Sequence, residues 1–159
     1  KVIEGGAFVD QFMKRAVELA IQNVKEGGSP FGAVLVRDGE IIAEAVNELH
    51  VTYDVSGHAE LLAIRRAQEK LQTHDSSDCI MYASCEPCPM CLTAMYMPGI
   101  KQGYYCQSIE ETAKYGSGRS TFIYEELKKN REDRDLKMVH MPLEPGQENP
   151  MQLWKEHSS

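Results

Sequence analysis

Apolar residues at Phe8, Phe12, Ala16, Leu19, Ala20 and Val24 fall three or four positions apart, the repeat of one helix face, and Gly27-Gly28 stops the run. The period then changes. Residues 31–37 and Glu40–Val46 read as strands on either side of Asp38-Gly39, a dipeptide suited to a two-residue hairpin turn. A second helix is expected over 58–71, after Gly57, with Ala59, Leu62, Ala63 and Ala67 on its apolar side. Residues 79–83 read as a short buried strand. Pro87 suits the start of a third helix over 88–97, and a further strand over 100–106 follows the break at Pro98-Gly99. Beyond it, 109–115 and 122–130 have helical spacing, 136–141 reads as a strand, 142–150 as loop and 151–157 as a terminal helical turn. No repeat, low-complexity stretch or long linker interrupts the 159 residues, so one domain is expected. The order of elements predicts an α/β fold, a mixed sheet with helices on both faces.

Composition narrows the class. The chain is 42% apolar and 26% charged, as soluble globular proteins are. Its richest apolar stretch, 31–36, is far shorter than the roughly 18 residues of a membrane span, so no membrane association is expected. The chain opens on Lys1, as a trimmed or processed end would, and its first residues do not read as a signal peptide. Seventeen basic against 24 acidic residues give a net charge of −7, which repels a polyanion and weighs against an obligate nucleic-acid partner. Five cysteines, an odd number in a chain this long, suit metal-binding or buried thiols in a reducing compartment better than a disulfide framework. Cytoplasm is the expected location.

The candidate chemistry lies in His58-Ala59-Glu60 and Pro87-Cys88-Pro89-Met90-Cys91. One imidazole and two thiolates are three zinc ligands, with a fourth position left for water. Cys88 and Cys91, at i and i+3, share one helix face near an N-terminus, where unpaired N–H groups favour thiolate. Glu60, two residues from the histidine, is free to move protons without occupying the metal. H-x-E followed by P-C-x-x-C is the signature of the zinc deaminases. Two other readings stay open. Cys85-Glu86-Pro87-Cys88 is an overlapping C-x-x-C that would serve as a redox dithiol, or Cys85 would complete a closed structural zinc site. An ordinary solvated helix carboxylate is the alternative for Glu60, but its place at a helix start beside a ligand favours the functional role. His50, His74, His140 and His157 lack ligand spacing and read as surface or loop residues, and Cys79 and Cys106 as small buried hydrophobes.

With Ser29-Pro30-Phe31-Gly32-Ala33-Val34, Asn47, His58-Ala59-Glu60-Leu61, Ser84-Cys85-Glu86-Pro87-Cys88-Pro89-Met90-Cys91, Phe122-Ile123-Tyr124 and Trp154, nearly the whole chain resembles the small guanine deaminases of the cytidine deaminase superfamily. The resemblance implies a three-layer α/β/α sandwich around a five-stranded mixed sheet, one Zn2+ per subunit, and a homodimer whose subunits exchange their C-terminal parts. It implies that Phe31 faces the base, that Asn47 hydrogen-bonds its edge, and that the Ala59 and Cys88 amides approach the reacting group. Three positions depart from the family's pattern. Met97, after Tyr96, replaces an aromatic residue. Gly118-Arg119-Ser120-Thr121 stands where an acidic residue is usual, which makes Ser120 the candidate contact there. The run Trp154-Lys155-Glu156-His157-Ser158-Ser159 lacks a closing tyrosine. Guanine's N1–H and N2–H donors cost about 1–3 kcal/mol if left unmet, so these departures bear on substrate choice. Glu110, Glu111 or Glu125 would be the substitute acceptors.

The expected activity is hydrolytic deamination of a free base, guanine to xanthine plus ammonia, with Glu60 as proton carrier. Adenine, cytosine, guanosine, a pterin or an aminotriazine are alternative substrates. A tRNA adenosine deaminase, a non-catalytic zinc-stabilised module and a thiol oxidoreductase are the rival classes.

Overall fold

In the computed structural model the described residues are 6–116 and 118–158, with side chains described from Gln11 onward; Lys1 and the side chain of Phe8 lie outside them. The chain divides into two compact units, Lys1–Tyr124 and Glu125–Ser159.

In the first unit β1 (Gly32–Arg37) and β2 (Glu40–Val46) form an antiparallel hairpin. Asp38 and Gly39 connect them at φ 52° and 74°, the two left-handed residues that a type I′ turn requires. β3 (Cys79–Cys85) pairs antiparallel with the other side of β1, and β4 (Gln102–Gln107) pairs parallel with β3. Strand order is β2-β1-β3-β4. A parallel pair needs a crossover. The β3–β4 connection carries the short helix α3 (Pro89–Tyr96), labelled after α1 (Gly6–Lys25) and α2 (Ala59–Leu71).

Alternation along β1 sends side chains into two cores. Val34 and Val36, with Tyr82, meet Phe12 and Ala16 of α1 on one face. Ala33 and Leu35, with Met81, meet Leu62, Ala63 and Ala67 of α2 and Met95 of α3 on the other. The result is the expected three-layer sandwich. Gly32 permits the α1 layer to close: a Cβ there would stand 2.5 Å from Ala16 O and 2.8 Å from Ala20 N, so α1 backbone occupies that space. After β4 come α4 (Ile109–Ala113), which starts with a capping box between Ser108 and Glu111, and α5 (Ser120–Lys128).

The second unit holds the end of α5, a 3-10 turn at Arg131–Asp133, and α6 (Pro150–His157). Glu126 is its buried carboxylate, paired with Lys129 at 2.6 Å and accepting Asp135 N–H at 2.7 Å. Asn149 caps α6 through Met151 N–H and Gln152 N–H.

Two expectations are corrected. The sheet has four strands among the described residues, because 136–141 forms no strand: Leu136, Met138, Val139 and Met141 are exposed, and that unit contains no other strand to pair with. Cys106 is exposed, not buried, since β4 is the outermost strand and its neighbours are uncovered as well. Cys79 is buried as expected. No helix among the described residues is long and apolar enough to cross a membrane.

Candidate metal centre

Two strand-to-helix connections converge on the site. His58 is the N-cap of α2, with extended backbone and no side-chain bond to its own helix. Its imidazole turns instead toward Cys88, with Nδ1 and Sγ 3.5 Å apart. Cys88 caps α3 in the same fashion, and Pro89 occupies the first turn. The helix therefore starts one residue later than expected, leaving Cys88 as its cap and Cys91 in its first turn. Donor atoms of His58, Cys88 and Cys91 all lie within 4.8 Å of one another, and among the described residues no fourth ligand joins that group. Cys85 ends β3, with its sulfur directed at Pro30 O and Gln107 Oε1. His50, His74, His140 and His157 are exposed.

Electrostatics agree with the geometry. Cys88 is held well below the usual thiol range, first by the hydrogen bond from Cys91 and also by His58, despite desolvation. Cys91 is pushed upward by that same bond and by burial. His58 is raised, chiefly by its bond with Cys88. Glu60, in the first turn of α2, is 8% exposed, and burial pushes its carboxyl up to about 7, with the Cys88 charge adding to the effect. One nitrogen and two sulfurs, on two half-buried residues and one buried, beside the buried Glu60 carboxylate, fit a zinc ion in charge and donor type.

Of the expected substrate residues, Phe31 and Asn47 meet at the open end of the hairpin. Asn47 N–H donates to Phe31 O at 3.1 Å, which joins the two directly. Asn47 is buried, and its Oδ1 accepts Leu49 N–H at 3.0 Å, leaving Nδ2 as the group that would meet a ligand. Phe31 is half-buried against the α2 core, and Ala59 is fully buried at the start of α2. Ser120 opens α5, four residues before Tyr124 and so on the same helix face. The Tyr124 hydroxyl donates to Pro87 O at 2.7 Å, which brings that face to the segment bearing Cys88.

Two contributors were given no role from the sequence, one of them quoted there only within Phe122-Ile123-Tyr124. Asn23, buried on α1, donates to both Ser29 O (2.8 Å) and Asn47 O (2.9 Å), tying together the loops that carry Phe31 and Asn47. Tyr124 is the other. A buried asparagine on an apolar helix face, and a tyrosine tip on an amphipathic one, were the available clues.

Residues 8–107 match the model of the cytidine and deoxycytidylate deaminase zinc-binding region. The chain belongs to this deaminase family. Guanine deaminase of Bacillus subtilis is 42% identical over 94% of this chain and 96% of its own length. The X-ray structure of a Bacillus subtilis guanine deaminase superposes with a TM-score of 0.85, covering 92% of this chain and 93% of that one. A tRNA-specific adenosine deaminase of Aquifex aeolicus is 32% identical over 92% of this chain and 94% of its own length. This family member is a zinc-dependent hydrolytic deaminase with the α/β architecture of its relatives.

Proposed function

We propose that the enzyme deaminates a free aminated nucleobase, guanine first, releasing xanthine and ammonia. His58, Cys88 and Cys91 would hold the zinc, and Glu60 would carry the protons. The reading rests above all on the convergence of those three donors within 4.8 Å. The 42% identity to a guanine deaminase across nearly the whole chain selects the substrate.

The metal, when bound, supplies a water acidic enough to attack carbon near neutral pH. Glu60 would accept one proton from that water and deliver it to the ring nitrogen as C–O forms, then take the second proton from the added hydroxyl and pass it to the amine, so that C–N breaks, the carbonyl forms and ammonia leaves. Burial suits it to this exchange, because desolvation disfavours the carboxylate and so helps the side chain take up a proton. Phe31 stacks on the base, and Asn47 Nδ2 donates to an acceptor on its edge. The Ala59 and Cys88 amides, at the first turn or cap of their helices, point at the reacting group. Ser120, with no carboxylate at its position, offers a hydroxyl acceptor to the guanine N–H groups.

The assembly we infer is a homodimer of single-domain subunits with their C-terminal parts exchanged. Support comes from Leu136, Met138, Val139, Met141 and Trp154, each more than 60% exposed and in need of a partner surface. Free thiols at all five cysteines favour a reducing compartment, the cytoplasm. The charge of −7 favours a small-molecule substrate over tRNA.

Ammonia release by the zinc-loaded protein across purine and pyrimidine bases, nucleosides, pterins, aminotriazines and a tRNA anticodon stem-loop is the test. Guanine is expected to be converted fastest. Preference for the stem-loop, or no ammonia from any base, would overturn the reading.

A further inference from the structure

We propose that Tyr124 is a positioning residue for the deamination, acting through the single peptide unit that joins Pro87 to Cys88. The inference rests on the reading above, in which the Cys88 amide faces the reacting group.

The Tyr124 hydroxyl donates to Pro87 O at 2.7 Å. That carbonyl and the Cys88 N–H are the two ends of one planar amide. A hydrogen bond accepted at the oxygen draws electron density from the nitrogen and makes its N–H a stronger donor, while fixing the plane in which it points. Cys88 N–H is uncommitted to the helix because Cys88 is the cap of α3. The bond from Tyr124 therefore terminates on the amide whose donor faces the site.

Nearby backbone is anchored without it. Glu86 N–H donates to Gln107 O at 2.8 Å, and Ile109 N–H donates to Glu86 Oε1 at 3.0 Å. These hold the corner between β3 and α3 to β4 and α4. What Tyr124 adds is the orientation of the next peptide along the chain. It is also four residues from Ser120 on one helix face, so the same turn of α5 addresses both the amide donor and the candidate substrate contact.

Tyr124→Phe keeps the ring and removes only the donor. In the zinc-loaded full chain with guanine, kcat is expected to fall roughly fivefold to tenfold, with KM and zinc content unchanged and the melting temperature lowered only by the loss of about one hydrogen bond. A second readout needs no turnover. The Cys88 amide ¹⁵N resonance reports whether the preceding carbonyl accepts a hydrogen bond, and it should shift in the variant. Incorporating 4-aminophenylalanine at position 124, which restores an N–H donor, should recover both kcat and the resonance, and it serves as the informative variant if Tyr124→Phe does not fold. Unchanged kcat and resonance in Tyr124→Phe, or a kcat loss matched by loss of zinc, would overturn the proposal. If the wild-type protein deaminates no base, the proposed function fails; the amide resonance then decides the Tyr124 linkage on its own.

Discussion

His58 Nδ1 stands 3.5 Å from Cys88 Sγ although thirty residues separate them, each being the N-cap of its helix, α2 and α3. Neither side chain caps its own helix. Both are turned inward, and with Cys91 they form the three-donor cluster on which the chemistry depends.

Removing a donor should remove the metal. His58→Ala, Cys88→Ser and Cys91→Ser are each expected to leave much less than one zinc per chain by elemental analysis, and chelation of the wild type should abolish turnover until zinc is restored. Cys85→Ser should keep both zinc and activity, since its sulfur faces Pro30 O and Gln107 Oε1. Loss of zinc from Cys85→Ser would mean a different ligand set.

Glu60→Gln preserves size and burial but cannot relay protons. Zinc content should stay at the wild-type level while kcat drops about 10³-fold, within the 10²–10⁴ range of general acid–base contributions. Near-wild-type turnover by the zinc-loaded variant would assign proton transfer elsewhere.

Asn47 offers a directional test. Leu49 N–H occupies its Oδ1, so Nδ2 is the group presented to the base. Asn47→Asp keeps the bond to Leu49 and substitutes an acceptor for the donor, and kcat/KM for guanine should fall roughly 5- to 150-fold through an unmet polar edge. An unchanged kcat/KM would remove Asn47 from substrate recognition.

The layer contact at Gly32 is a stability prediction. An added Cβ meets α1 backbone at 2.5 and 2.8 Å, which flexible side chains cannot relieve. Gly32→Ala should destabilise the protein by about 1–3 kcal/mol, read as a lowered melting temperature at equal zinc content. A melting temperature equal to the wild type would show that α1 can slide.

Arg15 and Glu44 give a pH dependence with a defined sign. Two bonds of 2.7 and 2.8 Å join them, and the hydrogen bond from Arg15 is the main cause of Glu44's lowered pKa. A depressed carboxyl pKa contributes stability that is present above the ordinary value and lost as pH falls through the lowered one. With the two side chains 42% and 34% exposed, at most about 1 kcal/mol is involved. Glu44→Gln should be less stable than wild type near neutrality, the difference closing as pH falls below the ordinary carboxyl range and through the lowered pKa. Comparing both proteins by urea denaturation at each pH cancels acid release of zinc, and a constant difference would contradict the assignment.

The ligands and most elements were legible because they follow from local rules. A three-to-four repeat marks α1 and α2, Asp38-Gly39 marks the hairpin, and ligand spacing marks the cluster. Boundaries shifted where backbone angles decide, as at Cys88, whose extended conformation makes it a cap rather than the first helical residue. The expected strand at 136–141 shows the limit of alternation: a β pattern says that a segment can pair, and only its surroundings say whether a partner exists. The roles of Asn23 and Tyr124 escaped, although Tyr124 belongs to a quoted motif, because they lie in hydrogen bonds to carbonyls far along the chain, which leave no periodic trace in sequence.

Zinc K-edge X-ray absorption on the loaded enzyme tests the central claim most directly. Two sulfur and two nitrogen or oxygen scatterers are predicted: Cys88, Cys91, His58 and a solvent molecule. A shell of three sulfurs, or four protein ligands with no solvent, would contradict an open hydrolytic centre.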